Sequence, residues 1–581
     1  MLLEDHHLSL IEWTELPRGI RLGTGGACRV SELSEDGGLV RIRLDAQGEG
    51  QAVLELPLGD AAGYWNPGLS GGRGLPADWA GRDAFSAVRS APIGALYDAD
   101  GSSRLAFGFD CLVHEGELQY GVSEEEKTFV VRLPIEGRLA ELEAGLDLVV
   151  VSEAMPYARA VRAVSEAVRA DLPVRPASTA SREPVYSTWY AHSQRISEEV
   201  IEADAAVAAE LGCRSVFIDD GWQRFGDGRW YAGCGDWVPD TDKFPDLTAL
   251  SGRLHGQDLD VVLWIAPLLL GEQSEAFDRL HRFAPHHSES LRCRVLDPRH
   301  PEVRAHLVET CARLVREYDL DGLKIDFLNS AMVYAGEPSS GDVADVGEAM
   351  TLLLRGVADA VDLERPGALI EFRQPYVSPA VASYADVVRA DDCPADAVQN
   401  RRSILDLRLL SNGQVVHADP IMWDPTASPD AAVRQLFGAF FGVPQISMPL
   451  VSLPAAHRDA VAAVLGVWRE LSGVLIDGEI TAGLPVDGYP SAAARLGGTL
   501  VVVAYGGSVL DLELDGVRRL VVLNASGSAQ LAYRSSTPAT SMAGLTVVTG
   551  TAAGAAAGRA ELGRQGFLPI PPWSIAELML D

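Results

Sequence analysis

The sequence predicts a central (β/α)8 barrel of the TIM type, with a large β-sandwich before it and a small β-sandwich after it. Three observations predict this order: strand-type alternation over residues 1–183, short apolar runs alternating with helical segments over 184–477, and a return to strand-type runs over 478–581. Eight strand–helix repeats within about 290 residues are typical of such a barrel. We therefore expect these three ranges to be the domains.

The N-terminal range is rich in strand patterns. The run GLVRIRLDAQGEGQAVLELPL alternates on both sides of DAQGEG and predicts a hairpin. The runs SRLAFGFDCLVH and KTFVVRLPI have the same period of two, and one helix is expected from about Tyr157 to Ala170. Together these features predict the large sandwich.

Eight short runs predict the strands of the barrel. They are VYSTWY (185–190), SVFIDD (215–220), VVLWIAP (261–267), LKIDF (323–327), ALIEFR (368–373), VVRADD (387–392), VVHADP (415–420) and QISMP (445–449). Ser197 and Gly212 are expected to begin and end the first barrel helix, and Pro301 is expected in the first turn of another. Beyond residue 478, runs such as TLVVVAYGG and RRLVVLNA predict the small sandwich.

Charge and cysteine usage exclude several classes of partner. The 81 acidic and 48 basic residues give a net charge of −33, which argues against binding nucleic acid or an anionic membrane through a positive field. Seven cysteines without a CxxC pair predict neither a disulfide framework nor a metal site. The N-terminus lacks a signal-peptide pattern, and the apolar run from Val261 to Gly271 is too short to span a bilayer. We expect a cytoplasmic protein without metal or cofactor.

Carboxylates gather at the predicted strand ends, where a barrel has its active site. They follow strands 2, 4, 6 and 7 and are accompanied by tryptophans: Asp219, Asp220, Asp326, Asp391, Asp392 and Asp419, with Trp189, Trp222, Trp264 and Trp423. Aromatic rings with carboxylates suit a sugar, and two opposed carboxylates can hydrolyse a glycosidic bond. A helix N-cap is the alternative role for any single Asp, but it does not explain the tryptophans or Lys324.

Lys324 and Asp326 form the sharpest local pattern. In a strand with a period of two, both side chains point into the barrel mouth. An ammonium beside a carboxylate favours the ionised form that a nucleophile requires. The alternative is a salt bridge that serves only the core.

Three segments resemble a known family in order and spacing. VFIDDGWQ (216–223), GDW with DTDKFPDL (235–247) and DGLKIDF (321–327) resemble the α-galactosidases of glycoside hydrolase family 36. The raffinose synthases and the family 27 enzymes of the same clan share parts of this pattern. The resemblance covers about Pro184 to Leu475 and implies a retaining α-glycosidase, above all an α-galactosidase acting on terminal α-galactosyl residues.

The resemblance also implies roles for individual residues. Asp326 falls on the nucleophile, and Lys324 would contact sugar hydroxyls. Asp219 and Asp220 would accept hydrogen bonds from the 4- and 6-hydroxyls. The tryptophans expected to wall or flank the pocket are Trp222, Trp264 and Trp189.

The acid/base residue is expected a few residues after Arg389, at the end of strand 6. Asp392 fits the family pattern better, and Asp391 stays open. The sequence departs from the family after strand 5, where IEFRQPYVSP replaces a segment rich in Cys and Gly. Arg373 in this segment could clamp a hydroxyl or a carboxylate, or pair with a barrel Asp. The sugar therefore stays open between galactose, N-acetylgalactosamine, glucose and a pentopyranose.

Two other functions fit the same residues in part. A transglycosylase similar to raffinose synthase would use the same side chains with a sugar acceptor in place of water. A non-catalytic sugar-binding protein would keep the tryptophans but would not need Lys324 with Asp326. In every case the expected partner is a small oligosaccharide or glycoside; a homo-oligomer is implied only by the resemblance.

Overall fold

The N-terminal part of the chain folds into one ten-stranded antiparallel sheet. The computed structural model describes residues 10–580 except 70–71, 171, 229, 374–375, 412, 542–543, 550–551 and 558–559. The strands of this sheet are β1 (Leu10–Glu15), β2 (Arg21–Asp36), β3 (Leu39–Pro57), β4 (Ala61–Trp65), β5 (Ala80–Phe85), β6 (Ile93–Asp98), β7 (Ser103–Phe109), β8 (Gly116–Ser123), β9 (Thr128–Ile135) and β10 (Leu146–Val151).

The ten strands are hydrogen-bonded into a single sheet. The order is β4-β6-β7-β10-β3-β9-β8-β5, and β2 pairs with both β1 and β3. The long strand β3 pairs with β10 over residues 39–44 and with β9 over 50–57, so it connects the two parts of the sheet. The predicted strand-rich region is confirmed as a large antiparallel sheet domain, and its strands share one sheet because β3 belongs to both parts. Leu22, Ile42 and Phe129 lie in its apolar core.

The middle of the chain forms a nearly closed parallel barrel. Its region contains β11 (Val185–Ser187), β12 (Ser215–Ile218), β13 (Asp260–Ile265), β14 (Leu269–Leu270), β15 (His287–Ser288), β16 (Cys293–Val295), β17 (Gly322–Ile325), β18 (Leu369–Arg373), β19 (Val387–Arg389), β20 (Val415–His417) and β21 (Gln445–Ile446). Eight of these are parallel, in the order β20-β19-β18-β17-β13-β12-β11-β21. The bridges His417–Val443 and Ile421–Ile446 bring the two edges together. All eight predicted strands are confirmed.

α-Helices precede, connect and follow the barrel strands. The α-helices are α1 (Tyr157–Val168), α2 (Trp189–His192), α3 (Glu198–Leu211), α4 (Leu247–His255), α5 (Ala276–Leu280), α6 (Pro301–Tyr318), α7 (Val346–Glu364), α8 (Ala397–Leu410), α9 (Asp430–Gly438) and α10 (Ala455–Asp477). The Ser197 hydroxyl accepts the Val200 N–H at the start of α3, and Gly212 ends it with φ +104°. Pro301 begins α6, so these predicted helix ends are confirmed.

Short 3-10 helices lie in the segments between the strands and α-helices. They cover Pro17–Gly19, Gly137–Glu141, Ala180–Arg182, His281–Phe283, Leu328–Tyr334, Pro379–Ser383, Leu450–Ser452 and Pro485–Asp487. The Leu328–Tyr334 helix lies at the mouth of the barrel directly after β17, where Phe327 turns the chain with φ +58°. Within the described residues, no helix combines the length and apolar character needed to cross a membrane.

Strands also make up the end of the chain. They are β22 (Glu479–Ala482), β23 (Ser491–Leu496), β24 (Thr499–Ala504), β25 (Leu510–Leu512), β26 (Arg519–Asn524), β27 (Leu531–Ser535), β28 (Ala539–Ser541), β29 (Gly544–Thr549), β30 (Ala552–Ala557), β31 (Ala560–Leu562), β32 (Gln565–Leu568) and β33 (Ser574–Met579). They form a seven-stranded sheet, β22-β23-β24-β26-β33-β29-β30, a three-stranded sheet, β25-β27-β32, and the pair β28-β31. Leu500, Leu520 and Leu578 contribute to an apolar cluster of this region.

Candidate active site

Asp326 lies directly after β17, at the carboxyl end of the barrel strands. Its Oδ2 accepts a hydrogen bond from Trp264 Nε1 at 3.1 Å, and its Oδ1 accepts the Phe327 N–H at 2.7 Å. Arg373 Nη1 lies 3.5 Å from Oδ1. These three contacts fix a buried carboxylate in one orientation at the strand end, as a nucleophile requires.

Lys324 is buried on the same strand but pairs with a different carboxylate from the one expected. Its ammonium lies 2.5 Å from Asp219 Oδ2, after β12. The sequence placed it beside Asp326, and this was wrong: among the described residues, the cation within 4 Å of Asp326 is Arg373. The reason is reach, because a lysine side chain is long enough to extend across β13 to the second strand away. Lys324 therefore pairs with Asp219 and holds its side chain in place.

Asp220 is buried like Asp219, but amide groups rather than a cation donate to it. Its two carboxyl oxygens accept hydrogen bonds from Gln223 Nε2 at 2.7 Å and from Gln194 Nε2 at 2.8 Å. Burial raises the pKa of Asp220 to about 6, although the two amide donors act in the opposite direction. Gly221 follows with φ +115°, and a Cβ there would lie 2.6 Å from the Cα of Gln194, so this turn requires glycine.

The predicted pocket tryptophans lie at different depths. Trp264 donates a hydrogen bond to Asp326 and stacks on Tyr231 with ring centroids 6.2 Å apart. Trp222 is fully buried and donates its Nε1–H to the backbone oxygen of Trp264 at 2.9 Å. Trp189 is half-buried in α2, directly after β11. Trp264 thus contacts Asp326 directly, and Trp222 contacts the backbone of Trp264.

Arg373, at the end of β18, links three carboxylates of the mouth. Its Nη2 lies 2.8 Å from Asp392 Oδ2 and 3.4 Å from Asp391 Oδ1, and its Nη1 lies 3.5 Å from Asp326 Oδ1. One guanidinium therefore spans the space between the ends of β17 and β19. The sequence left several roles open for Arg373. In the structure it pairs with barrel aspartates.

Asp392 is held by two arginines. Arg389 Nη2 donates to its Oδ1 at 2.9 Å, in addition to the contact from Arg373. Burial alone would raise the pKa of Asp392, but the Arg389 and Arg373 guanidiniums outweigh it and hold this pKa well below its usual range. The Asp391 side chain is 51% accessible, against 42% for Asp392, and it accepts the Asp392 N–H at 2.9 Å. Asp392 thus contacts both arginines, whereas Asp391 contacts Arg373 alone.

A buried polar layer lies beneath the mouth. Arg389 contacts Asp419, whose other oxygen accepts the Cys393 N–H at 2.7 Å and the Tyr190 hydroxyl at 3.1 Å. Burial raises the pKa of Asp419 to about 7, against the opposing effect of Arg389. On the other side, Arg389 Nε lies 3.9 Å from Glu371, which is fully buried on β18. Arg389 therefore sits between acidic groups from three neighbouring strands.

Several residues of this site were missed from the sequence. Glu371 lies two positions before Arg373, so the period-two rule that joined Lys324 to Asp326 could have found it. Tyr190 lies in the one-turn helix α2, and Tyr231 and Gln194 lie outside helices and strands; no local pattern marks the three. Within the described residues, no group of three or more His, Cys, Asp or Glu side chains could hold a metal ion.

A nearly closed barrel whose mouth carries several carboxylates and buried tryptophans is typical of the barrel glycoside hydrolases. Residues 161–393 match the family model described as Melibiase. The sequence is 28% identical over 180 residues to a probable α-galactosidase C of Aspergillus flavus, covering 28% of this chain and 24% of that protein. It is 30% identical over 150 residues to α-galactosidase 2 of Pediococcus pentosaceus, covering 24% of this chain and 20% of that protein.

Solved structures of α-galactosidases share the fold. The GH36 α-galactosidase AgaA of Geobacillus stearothermophilus superposes with a TM-score of 0.64 at 16% identity, covering 97% of this chain and 81% of that chain. TtGalA, the α-galactosidase of Thermus thermophilus, gives 0.57 at 20% identity, covering 78% of this chain and 94% of that chain. The predicted resemblance to family 36 α-galactosidases is confirmed. The matched segments span about a quarter of the length of the curated relatives.

Proposed function

We propose that this protein is a retaining α-galactosidase that hydrolyses terminal α-galactosyl residues. The observation that carries the proposal is the pair Asp326 and Asp392, which face the same guanidinium of Arg373 from two strand ends. The melibiase match over 161–393 supports the reaction class. The domain division 1–183, 184–477 and 478–581, with a β-sandwich on each side of the barrel, is part of the same proposal.

In the proposed mechanism, Asp326 attacks the anomeric carbon and forms a covalent glycosyl-enzyme. Asp392 gives a proton to the leaving glycosidic oxygen and then removes one from the water that hydrolyses the intermediate. Retention requires the two carboxyl groups to lie roughly 5–5.5 Å apart in the complex with substrate. A single intervening guanidinium is compatible with such a gap.

Arg373 must release part of its contact during this cycle. Beside two arginines Asp392 is ionised, whereas a general acid must carry a proton. A sugar entering between Asp326 and Asp392 would take the space of the guanidinium and cover the exposed face of Asp392. Both changes raise the pKa of Asp392, since one weakens a cationic contact and the other removes water. The freed N–H groups of Arg373 would then bind a sugar hydroxyl.

The charge of the mouth favours a neutral sugar. Arg373 already faces Asp326, Asp391 and Asp392, so a carboxylate on the substrate would meet an acidic rather than a basic surface. Asp219 and Asp220 would accept sugar hydroxyls, Lys324 would donate to one, and the rings of Trp264 and Trp189 would flank the sugar with Trp222 behind. Structures of variants of AgaA contain raffinose and stachyose, which supports an oligosaccharide as substrate class.

The test uses p-nitrophenyl α-galactoside and two substitutions. Asp326→Ala should abolish turnover, and Asp391→Asn, a neighbouring carboxylate without a proposed chemical role, should retain most of it. Near wild-type turnover by Asp326→Ala would refute the assignment of the nucleophile. Repeating the assay with sucrose present separates hydrolysis from transfer, because a transglycosylase similar to raffinose synthase would accumulate a galactosylated sucrose.

A further inference from the structure

A cavity of about 380 Å³ lies at the end of the barrel opposite the active site. Its wall includes Gln414 and Val415, where β20 begins, and Arg182, which precedes β11. Asp419, by contrast, follows the other end of β20. Helix α1 and the end of α10 complete the wall, so the cavity lies where the N-terminal region and the barrel meet. Its volume is in the range of a small-molecule site.

The wall of this cavity carries an excess of positive charge. Its ionisable residues are Arg162, Arg169, Arg182, Arg408, Glu166 and Asp477, four basic against two acidic. Arg182 pairs with Asp477 at 2.5 Å. In a chain with a net charge of −33, this local excess of two positive charges runs against the overall composition.

Arg408 shows that this charge is not compensated by an adjacent carboxylate. Its guanidinium donates to the backbone oxygens of Phe441, Leu475 and Gly478, and no described carboxylate lies within 4 Å of it. Burial, together with the nearby Arg162, lowers the pKa of Arg408 to about 9, against the opposing effect of Asp477. Backbone oxygens satisfy the N–H groups but leave the positive charge in place, so an anion in the cavity would be attracted to it.

A hydroxyl is also available in this wall. The Ser411 Oγ is buried and has no hydrogen-bond partner among the described residues. Ser411 follows α8 and lines the cavity together with Arg408. A buried hydroxyl without a partner is costly, and an acceptor oxygen of a ligand would relieve that cost.

We propose that this cavity binds a phosphate group, carried by a small metabolite or present as inorganic phosphate. Guanidinium groups match phosphate oxygens in forked, charge-assisted hydrogen bonds. A phosphate monoester carries about −1.5 to −2 charge at pH 7, which balances the excess on the wall. The Ser411 hydroxyl supplies a neutral donor. This site is independent of the proposed glycosidase reaction, because the filled interior of the barrel separates it from the mouth.

The test is a calorimetric titration of the full chain with sodium phosphate, at an ionic strength held constant with chloride. We expect saturable binding at one site. Arg162→Gln should weaken binding at least about tenfold, the loss expected for one charge-assisted hydrogen bond. The matched control is Arg159→Gln on the same helix, since Arg159 is exposed, pairs with Glu479 at 3.0 Å and does not line the cavity. This control should change the affinity by less than about twofold.

Arg169→Gln provides a second variant if Arg162→Gln unfolds, and thermal unfolding followed by circular dichroism verifies that each variant is folded. Glycerol 3-phosphate, with glycerol as its control, distinguishes the two sources of phosphate. Tighter binding of the ester than of inorganic phosphate supports a phosphorylated metabolite, and equal binding supports phosphate itself. The absence of saturable binding by either, or an equal loss in Arg159→Gln, would overturn the proposal.

Discussion

Replacing Arg373 with methionine should raise the pKa of Asp392. The substitution keeps a side chain of similar length but removes a positive charge whose Nη2 lies 2.8 Å from Asp392 Oδ2. An opposite charge at this range lowers a carboxyl pKa by about 1–3 units. Because 42% of the Asp392 side chain is exposed and Arg389 remains, solvent screening places the expected rise near the lower end, at about one unit.

The assay is the pH dependence of kcat/KM on raffinose, a substrate whose leaving group needs protonation. This profile reports pKa values of the free enzyme. Its two limbs reflect the two carboxyl groups as a coupled pair and not either group alone. Asp392 must be protonated to act as an acid, so kcat/KM falls along the alkaline limb of the profile as the active protonation state is lost. In Arg373→Met this limb should move up by about one pH unit, and Arg373→Lys should move it less because the charge remains. An unchanged or lowered limb in Arg373→Met would refute the reasoning, whatever the change in absolute rate.

Three further predictions concern the buried groups around the mouth. Lys324→Met leaves the Asp219 carboxylate buried without its partner and should lower the free energy of unfolding in urea by about 3–5 kcal/mol; a loss below about 1 kcal/mol would contradict the ion pair. Gly221→Ala should lower the melting temperature markedly, whereas Gly466→Ala, in the middle of α10 with open space around it, should leave it unchanged or raise it. Because the pKa of Asp220 is raised to about 6 in the folded protein, its contribution to stability is complete below about pH 4 and is lost as the pH rises through 6. Asp220→Asn should remove that part of the pH dependence in unfolding titrations, and an unaltered dependence would contradict the burial argument.

The barrel could be predicted from the sequence because its signals are local. Each strand is a short apolar run followed by polar residues, and helix ends such as Ser197 and Gly212 carry capping residues whose chemistry acts within one turn. The N-terminal region was predicted less sharply. Alternation identifies strands. Whether those strands join one sheet depends on pairing partners far along the chain, as in the pairing of β3 with both β9 and β10.

The sequence predicts which residues lie at the barrel mouth better than it predicts their contacts. The period of a strand places Lys324 and Asp326 on one side, but the partner of Lys324 depends on the order of neighbouring strands and on side-chain reach. Likewise, the tryptophans were found by their position after strands, while the difference in depth between Trp222 and Trp264 arises only from packing. Arg373 could be noticed as a departure from the family pattern; its place between Asp326 and Asp392 required the assembled barrel.

The most direct test of the central claim is proton NMR of the sugar first released from p-nitrophenyl α-galactoside. If Asp326 forms a covalent glycosyl-enzyme and Asp392 activates water on the same face, the first product is α-galactose, which then mutarotates to the β-anomer. The same experiment with Asp326→Ala should show no release. Initial appearance of β-galactose, or no release by the wild-type protein, would contradict the assignment of a retaining α-galactosidase.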